Sequence, residues 1–172
     1  MSSPAIIPIF LNDNFKSKQD TFHVSLCISM FNIGGAISSP IHSITLSKIG
    51  RPLSMAIALI LLSITQLVLG IASYFSYENF IIITCICKFI QGYGDSLLMS
   101  VSFSLASIYF KDEKEKMVMI IELALSVGMA CSPLVLSGIY ALLNYDASMY
   151  FMSFLYFLEL IFVWLLNKKL TN

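Results

Sequence analysis

The chain has 172 residues, of which 58% are hydrophobic and 12% are charged, and its formal net charge at pH 7 is +0. Its mean hydropathy is +0.84. Soluble globular domains carry roughly 25% charged residues, so this composition excludes a water-soluble fold. The charge balance leaves neither a basic excess for binding nucleic acid nor an acidic tail. The composition therefore indicates a protein whose solvent is the lipid bilayer.

A short apolar segment opens the chain, within residues 1–21. Its apolar part, PAIIPIFL, is too short to cross a bilayer, and it lacks the basic start of a signal peptide. We interpret it as the exoplasmic end of a first helix whose first two thirds are absent, followed by a loop. The expected organisation is then a partial first helix over residues 1–21 and a partial transmembrane domain over residues 22–172.

Five long apolar stretches fill most of the remaining chain. They cover residues 22–46, 52–75, 80–110, 117–143 and 149–166. Each is near or above the ~20 residues that a helix needs to cross ~30 Å of hydrocarbon, where a helix also satisfies its own backbone hydrogen bonds. The sequence therefore predicts an all-α, polytopic transmembrane helix bundle with five full spans and a partial first helix.

Positive charges are concentrated in alternate loops. The loops after the first and third spans and the C-terminus carry Lys48, Arg51, Lys111, Lys114, Lys116, Lys168 and Lys169. The other two loops, SYFSYEN and NYDAS, carry no Lys or Arg. Basic loops stay in the cytoplasm, so we expect a cytoplasmic C-terminus and an exoplasmic start, with Lys16 and Lys18 as exceptions. The pattern does not distinguish a plasma membrane from an endomembrane vesicle.

Small residues recur every four positions in two of the spans. The first span carries Gly35, Ser39, Ser43 and Ser47, and the third carries Gly92, Ser96, Ser100 and Ser104. Such stripes let helix backbones approach closely and allow hydroxyl groups to bond across the seam. They predict the faces along which these two spans pack.

Several ionisable or strongly polar side chains fall within the apolar spans: Lys88, Gln91, Asp95, Glu122 and Glu159. A charge at the centre of a bilayer costs roughly 2.5 to 3.5 kcal/mol on insertion scales, so these groups need an aqueous cavity or a partner. Lys88, Gln91 and Asp95 share one stripe of the third span because they are three, four and seven residues apart. We predict a cavity that serves solute transport or ion coupling; paired structural charges are the alternative.

Residues with catalytic or metal-binding chemistry are sparse. Cys27, Cys85, Cys87 and Cys131 lie in apolar runs, where cysteine packs as a small hydrophobic residue. The sequence contains no Ser/His/Asp or Cys/His set, no cluster at metal-ligand spacing and no phosphate-binding loop. It therefore predicts no enzyme activity, no catalytic residue, no metal and no cofactor.

Glycine and proline mark a turn and a bend. In the loop KIGRPLSM, Gly50 permits a left-handed turn and Pro52 suits the first turn of the next helix. This pattern predicts a tight hairpin. In the fourth span, a proline within a set of small residues predicts a bend because it removes one backbone hydrogen bond. That set is Gly128, Ser132, Pro133 and Gly138.

Three motifs, in order along the chain, resemble the major facilitator superfamily, and within it the vesicular amine and polyamine transporter branch. The loop SITLSKIGRP is similar to the gating loop of that family, and KFIQGYG and the fourth span are similar to its fourth and fifth helices. The matching residues are Lys48, Gly50 and Arg51, then Gln91, Gly92 and Gly94, then Glu122, Gly128, Pro133, Ile139 and Tyr140. Lys88 stands where the family has arginine, and Ser47 where it has an acid.

The resemblance implies that the five spans are helices two to six, so that the chain is half of a twelve-helix fold. It also implies transport of a small organic solute, a cation in this branch, with a proton gradient as the drive. Lys88, Gln91 and Asp95 would line the cavity, with Glu122 and Glu159 as further candidates. The expected partners are the lipid bilayer, the solute, a proton and a second half-transporter or second copy. The alternative is a non-transporting truncated paralogue, or a structural or regulatory membrane subunit.

Overall fold

The computed structural model describes residues 3–14 and 21–171. The helices are α1 (Ser3–Asn14), α2 (Thr21–Ile49), α3 (Arg51–Ala72), α4 (Tyr77–Tyr109), α5 (Lys114–Leu142) and α6 (Tyr145–Thr171). Helices α2 to α6 each contain a segment long and apolar enough to cross a membrane. The predicted all-α class and the five spans are therefore confirmed. Lys16 and Lys18 lie outside the described residues, as do the side chains of Ser43, Ser47, Lys168 and Lys169.

Helix α4 occupies the centre of the bundle. It packs along α2 on one side and along α3 on another, while α3 also packs along α6. Helix α5 has much smaller contacts, with α4, α6 and the short α1. Every side chain of α5 is described, and only Leu136 is fully buried. The bundle is thus tightly packed around α2, α3, α4 and α6 and loosely packed around α5.

Helices α2 and α4 approach each other at two glycines. A methyl group on Gly34 would overlap the carbonyl oxygen of Phe89, and one on Gly92 would overlap the carbonyl oxygen of Phe31. A helix side chain larger than hydrogen therefore has no room at either position. This is the kind of close backbone contact that small residues provide in membranes, where lipid gives helices no hydrophobic reason to associate.

The contact face of α2 differs from the predicted stripe by one residue. Ser38 and His42 are fully buried, four and eight residues after Gly34, whereas Ser39 is exposed. The predicted stripe is therefore confirmed at Gly35, where an added methyl group would lie 3.6 Å from the carbonyl oxygen of Gly92, and wrong at Ser39. One residue turns a helix by about 100°, so the two adjacent glycines offered two candidate faces. In α4 the stripe prediction is confirmed at Gly92.

The lipid-facing surface follows from the same helical geometry. Along α3, exposed apolar side chains recur at Ile60, Ile64, Leu67 and Ile71. Beside this row, the buried part of α3 carries Ser63, whose hydroxyl lies 3.0 Å from that of Ser153 in α6. Each of these two hydroxyls also donates to the backbone carbonyl of the other residue, at 3.1 and 2.9 Å. Hydroxyls that share hydrogen bonds across a helix seam stabilise the contact between α3 and α6.

Side-chain hydrogen bonds join the helices at one end of the bundle. The Tyr74 hydroxyl donates to Asp146 at 2.9 Å, and the Tyr140 hydroxyl donates to Asp13 at 2.6 Å. The hydrogen bond to Asp146 raises the pKa of Tyr74 above its usual value. These bonds place the end of α1 beside the α3–α4 and α5–α6 loops. The loops that lack Lys and Arg therefore lie together, as the alternation of charge predicts.

The hairpin between α2 and α3 lies at the opposite end. Gly50 has φ of 86°, a left-handed conformation, so the predicted turn is confirmed. Helix α3 begins at the next residue with Pro52 in its first turn, and the Ser54 hydroxyl donates to the Gly50 carbonyl at 2.7 Å. The Arg51 Nε donates to the Ser104 hydroxyl at 2.7 Å, which attaches the hairpin to the end of α4.

The Gly92→Ala substitution should destabilise the bundle by about 1 to 3 kcal/mol, because the added methyl group must push α2 away from α4. Unfolding of the purified chain in mixed micelles, followed by circular dichroism during titration with dodecyl sulfate, measures this loss. Gly138→Ala is the matched control, since a methyl group there meets nothing within 4 Å. Equal unfolding midpoints for the two variants would contradict the close α2–α4 contact.

Candidate functional site

A groove of about 470 Å³ lies between α4, α5 and α6. It exists because α5 packs only loosely against its neighbours. Its walls are mostly apolar, with a few polar side chains among them. The lining residues are Asp95, Met99 and Ser102 of α4, Ile121, Ala124, Leu125, Gly128, Met129 and Ser132 of α5, and Met152, Leu155, Tyr156 and Glu159 of α6.

Two acidic side chains from different helices line this groove. Asp95 lies near the middle of α4, and Glu159 lies near the middle of α6. The Tyr156 side chain is close enough to both carboxylates to interact with them electrostatically. Middle positions of membrane-spanning helices are those where a charge is most costly. The groove therefore gathers two costly acidic groups around one open space.

Lys88 and Gln91 lie outside this groove. The Lys88 side chain is 1% exposed, and its Nζ donates to the Gln91 Oε1 at 2.9 Å. Its charge also interacts with the thiol groups of Cys27 and Cys87. The predicted stripe of α4 thus divides between two environments: Lys88 and Gln91 are closed in the packed interior, whereas Asp95 faces the groove.

Glu122 lies outside the groove as well. Its side chain is exposed on α5, one position from the groove residue Ile121, and its backbone carbonyl accepts a hydrogen bond from Ser126 at 2.8 Å. In the hairpin motif, Lys48 is exposed, while Gly50 and Arg51 form the turn and its attachment to α4. None of these residues is brought to Asp95 or Glu159.

Only some of the residues in the predicted bend of α5 line the groove. Gly128 and Ser132 line the groove, whereas Gly138 is exposed near the end of the helix. Helix α5 continues through Pro133 without interruption. A bend at Pro133 stays a prediction. Because Gly128 and Ser132 are small, they leave more space in the groove beside Asp95 than larger side chains would.

Tyr156 is a groove residue that the sequence analysis missed. It precedes Glu159 by three residues, so both side chains share a face of α6. That spacing was visible in the sequence, but tyrosine is common at the ends of membrane helices and carries no formal charge. Among the described residues, no three His, Cys, Asp or Glu side chains come together as a metal site.

Comparison with known proteins gives one match. A model of the Major Facilitator Superfamily matches residues 1–171. No curated protein and no solved structure matches the chain. The five membrane-length helices and the loop motif at Gly50 and Arg51 agree with this match. The chain is therefore a multi-pass membrane protein that belongs to the Major Facilitator Superfamily, a family of transporters.

Proposed function

We propose that this protein takes part in the transport of a small organic solute across a membrane, and that the groove between α4, α5 and α6 is part of the solute pathway. The observation that carries this proposal is that Asp95 and Glu159, both at mid-membrane depth, line the same groove of about 470 Å³. A volume in this range accommodates a small molecule. Packing alone gives no reason to bring two acids together there.

The chemistry of the groove favours a cationic solute. Its charged side chains are both acidic, and Tyr156 adds an aromatic ring beside them. Carboxylates attract an ammonium group, and an aromatic face adds a cation–π contribution. The methionines and leucines on the walls suit the apolar part of an organic amine. This agrees with the resemblance to the vesicular amine and polyamine branch.

A proton gradient is the drive we propose. A carboxylate that faces a cavity inside the membrane can take up and release protons in exchange for a cation. Asp95 has this position in the groove, and Glu159 provides a second acid across it. Lys88 and Gln91, which are closed in the interior, would reach a solute only after α4 rearranges against α2.

A second half of the transporter, or a second copy of the chain, is the partner we propose. Alternating access needs two bundles that rock about a midplane site, and the described residues form one bundle. Most of the α5 surface is open, with Leu134 and Leu142 exposed by 75% and 85%. A structural or regulatory subunit that does not transport is the second candidate function, because the same open surface would serve to bind a full-length relative.

Transport should depend on Asp95. In proteoliposomes with an imposed pH gradient, we expect uptake of radiolabelled spermidine to fall at least tenfold in Asp95→Asn, because the amide neither attracts the cation nor exchanges a proton. Glu78→Gln, which neutralises an exposed acid at the start of the same helix, should keep the original rate. Uptake that is unchanged by Asp95→Asn would contradict the role of the groove.

Water should fill the groove. With the four native cysteines replaced by alanine, Ser132→Cys should react with a charged methanethiosulfonate reagent in sealed vesicles, since Ser132 lines the groove. Leu134→Cys is the matched control from the opposite face of α5, where an exposed leucine indicates lipid. It should react at least tenfold more slowly. Similar slow rates at both positions would mean that the groove is dry.

The native assembly distinguishes the two candidate functions. Chemical cross-linking in membranes, followed by immunoblotting, should show this chain in a complex of about twice its mass or more if a second bundle completes the pathway. A complex with a full-length transporter, combined with no uptake by this chain alone, would support the regulatory subunit. A chain that stays monomeric at 19.2 kDa and shows no uptake would contradict the transport proposal.

A further inference from the structure

Two cysteines face each other across the α2–α4 contact. The Sγ atoms of Cys27 and Cys85 are 3.2 Å apart, although 58 residues separate them in the sequence. Both cysteines are present as free thiols. Sulfur atoms this close need only small side-chain rotations to form a disulfide. The sequence analysis treated both as packing residues, because residues on different helices show no spacing that would reveal their contact.

The surroundings hold this pair in place. Seven residues further along each helix, at Gly34 and Gly92, the two backbones are in direct contact. Nearer the ends of the helices, the Tyr77 hydroxyl and the His23 Nδ1 are 3.3 Å apart. The thiols therefore lie between two other contacts of the same helix pair. A disulfide would shorten their Sγ–Sγ distance from 3.2 Å to about 2.05 Å, a small change between two contacts that already hold the helices together.

The position of the pair also favours oxidation. Cys27 is six residues after the start of α2, and Cys85 is eight residues after the start of α4. At ~1.5 Å per residue, the thiols lie about 9 to 12 Å from that end of the bundle. The α3–α4 and α5–α6 loops at this end lack Lys and Arg, with Lys16 and Lys18 before α2 as the exceptions, so the charge rule places this end on the exoplasmic side, where disulfides form and persist.

We propose that Cys27 and Cys85 are a modification site, a dithiol that peroxide oxidises to a disulfide linking α2 to α4. The partly exposed Cys85 reacts first: its sulfur attacks a peroxide oxygen, the O–O bond breaks, and a sulfenic acid and one water result. The sulfur of Cys27 then displaces the hydroxyl group as a second water, and the S–S bond forms. Two thiols lose two electrons in total, and one hydrogen peroxide becomes two waters.

Peptide mapping of the full chain in native membranes tests this site. Membranes are treated with hydrogen peroxide, free thiols are blocked with N-ethylmaleimide, and the digested chain is analysed by mass spectrometry with and without reduction. We expect a reducible peptide pair containing Cys27 and Cys85, lighter by about 2 Da than the two thiol peptides together. The proposal would be overturned if, after peroxide treatment, all four cysteines were recovered as separate thiols blocked by N-ethylmaleimide.

Variants separate this pair from the other cysteines. Cys27→Ala and Cys85→Ala should each abolish the cross-link, whereas Cys87→Ala and Cys131→Ala should keep it. Cys87 is a close control, since it is buried in the same helix and two residues turn its side chain about 200° from that of Cys85. A cross-link that persists without Cys27, or that contains Cys87, would also overturn the assignment.

The proposal does not rest on transport. The mapping of the native chain decides it even if a buried cysteine variant fails to fold, because that experiment needs no substitution. Loss of uptake in Asp95→Asn and formation of the cross-link are independent results. Either proposal can therefore fail while the other stands.

Discussion

The direct contact between the backbones of α2 and α4 is the constraint on which the other features of this bundle depend. Gly34 and Gly92 let each helix rest against a carbonyl oxygen of the other. Within hydrocarbon, where apolar burial gives little drive for helix association, such packing has to supply the attraction. Helix α3 packs against another side of α4. The contacts with α2 and α3 together fix the rotation of α4 about its axis. That rotation determines the direction in which its polar stripe faces.

The division of the polar stripe follows from this geometry. Lys88 and Gln91 lie where α4 is covered, and they bond to each other. Asp95 lies on the same stripe one to two turns further along, at the level of the groove beside the loosely packed α5. Under the transport function proposed above, the loose packing of α5 would provide the space in which a solute reaches Asp95 and Glu159.

Local features were predictable from the sequence, whereas the meeting of helices was not. The spans and the turn at Gly50 depend on hydropathy and on one backbone conformation, and both are confirmed. The contact face of α2 was missed beyond its glycines, because Gly34 and Gly35 both face α4, whereas only Ser38, and not Ser39, is buried in the next turn. The placement of Asp95 and Glu159 in one groove, and the approach of Cys27 to Cys85, depend on how helices are rotated about their axes, which apolar lipid-facing surfaces do not specify.

Helix α5 is held at one end more firmly than at the other. Leu136, its buried residue, and Tyr140, which donates to Asp13, both lie in its last two turns. The rest of the helix faces the groove or is exposed, and Pro133 stands between the two parts. Since proline removes one backbone hydrogen bond, bending costs least there. Movement of α5 would therefore pivot near Pro133 and widen or narrow the groove beside Asp95, while the attached end stays in place.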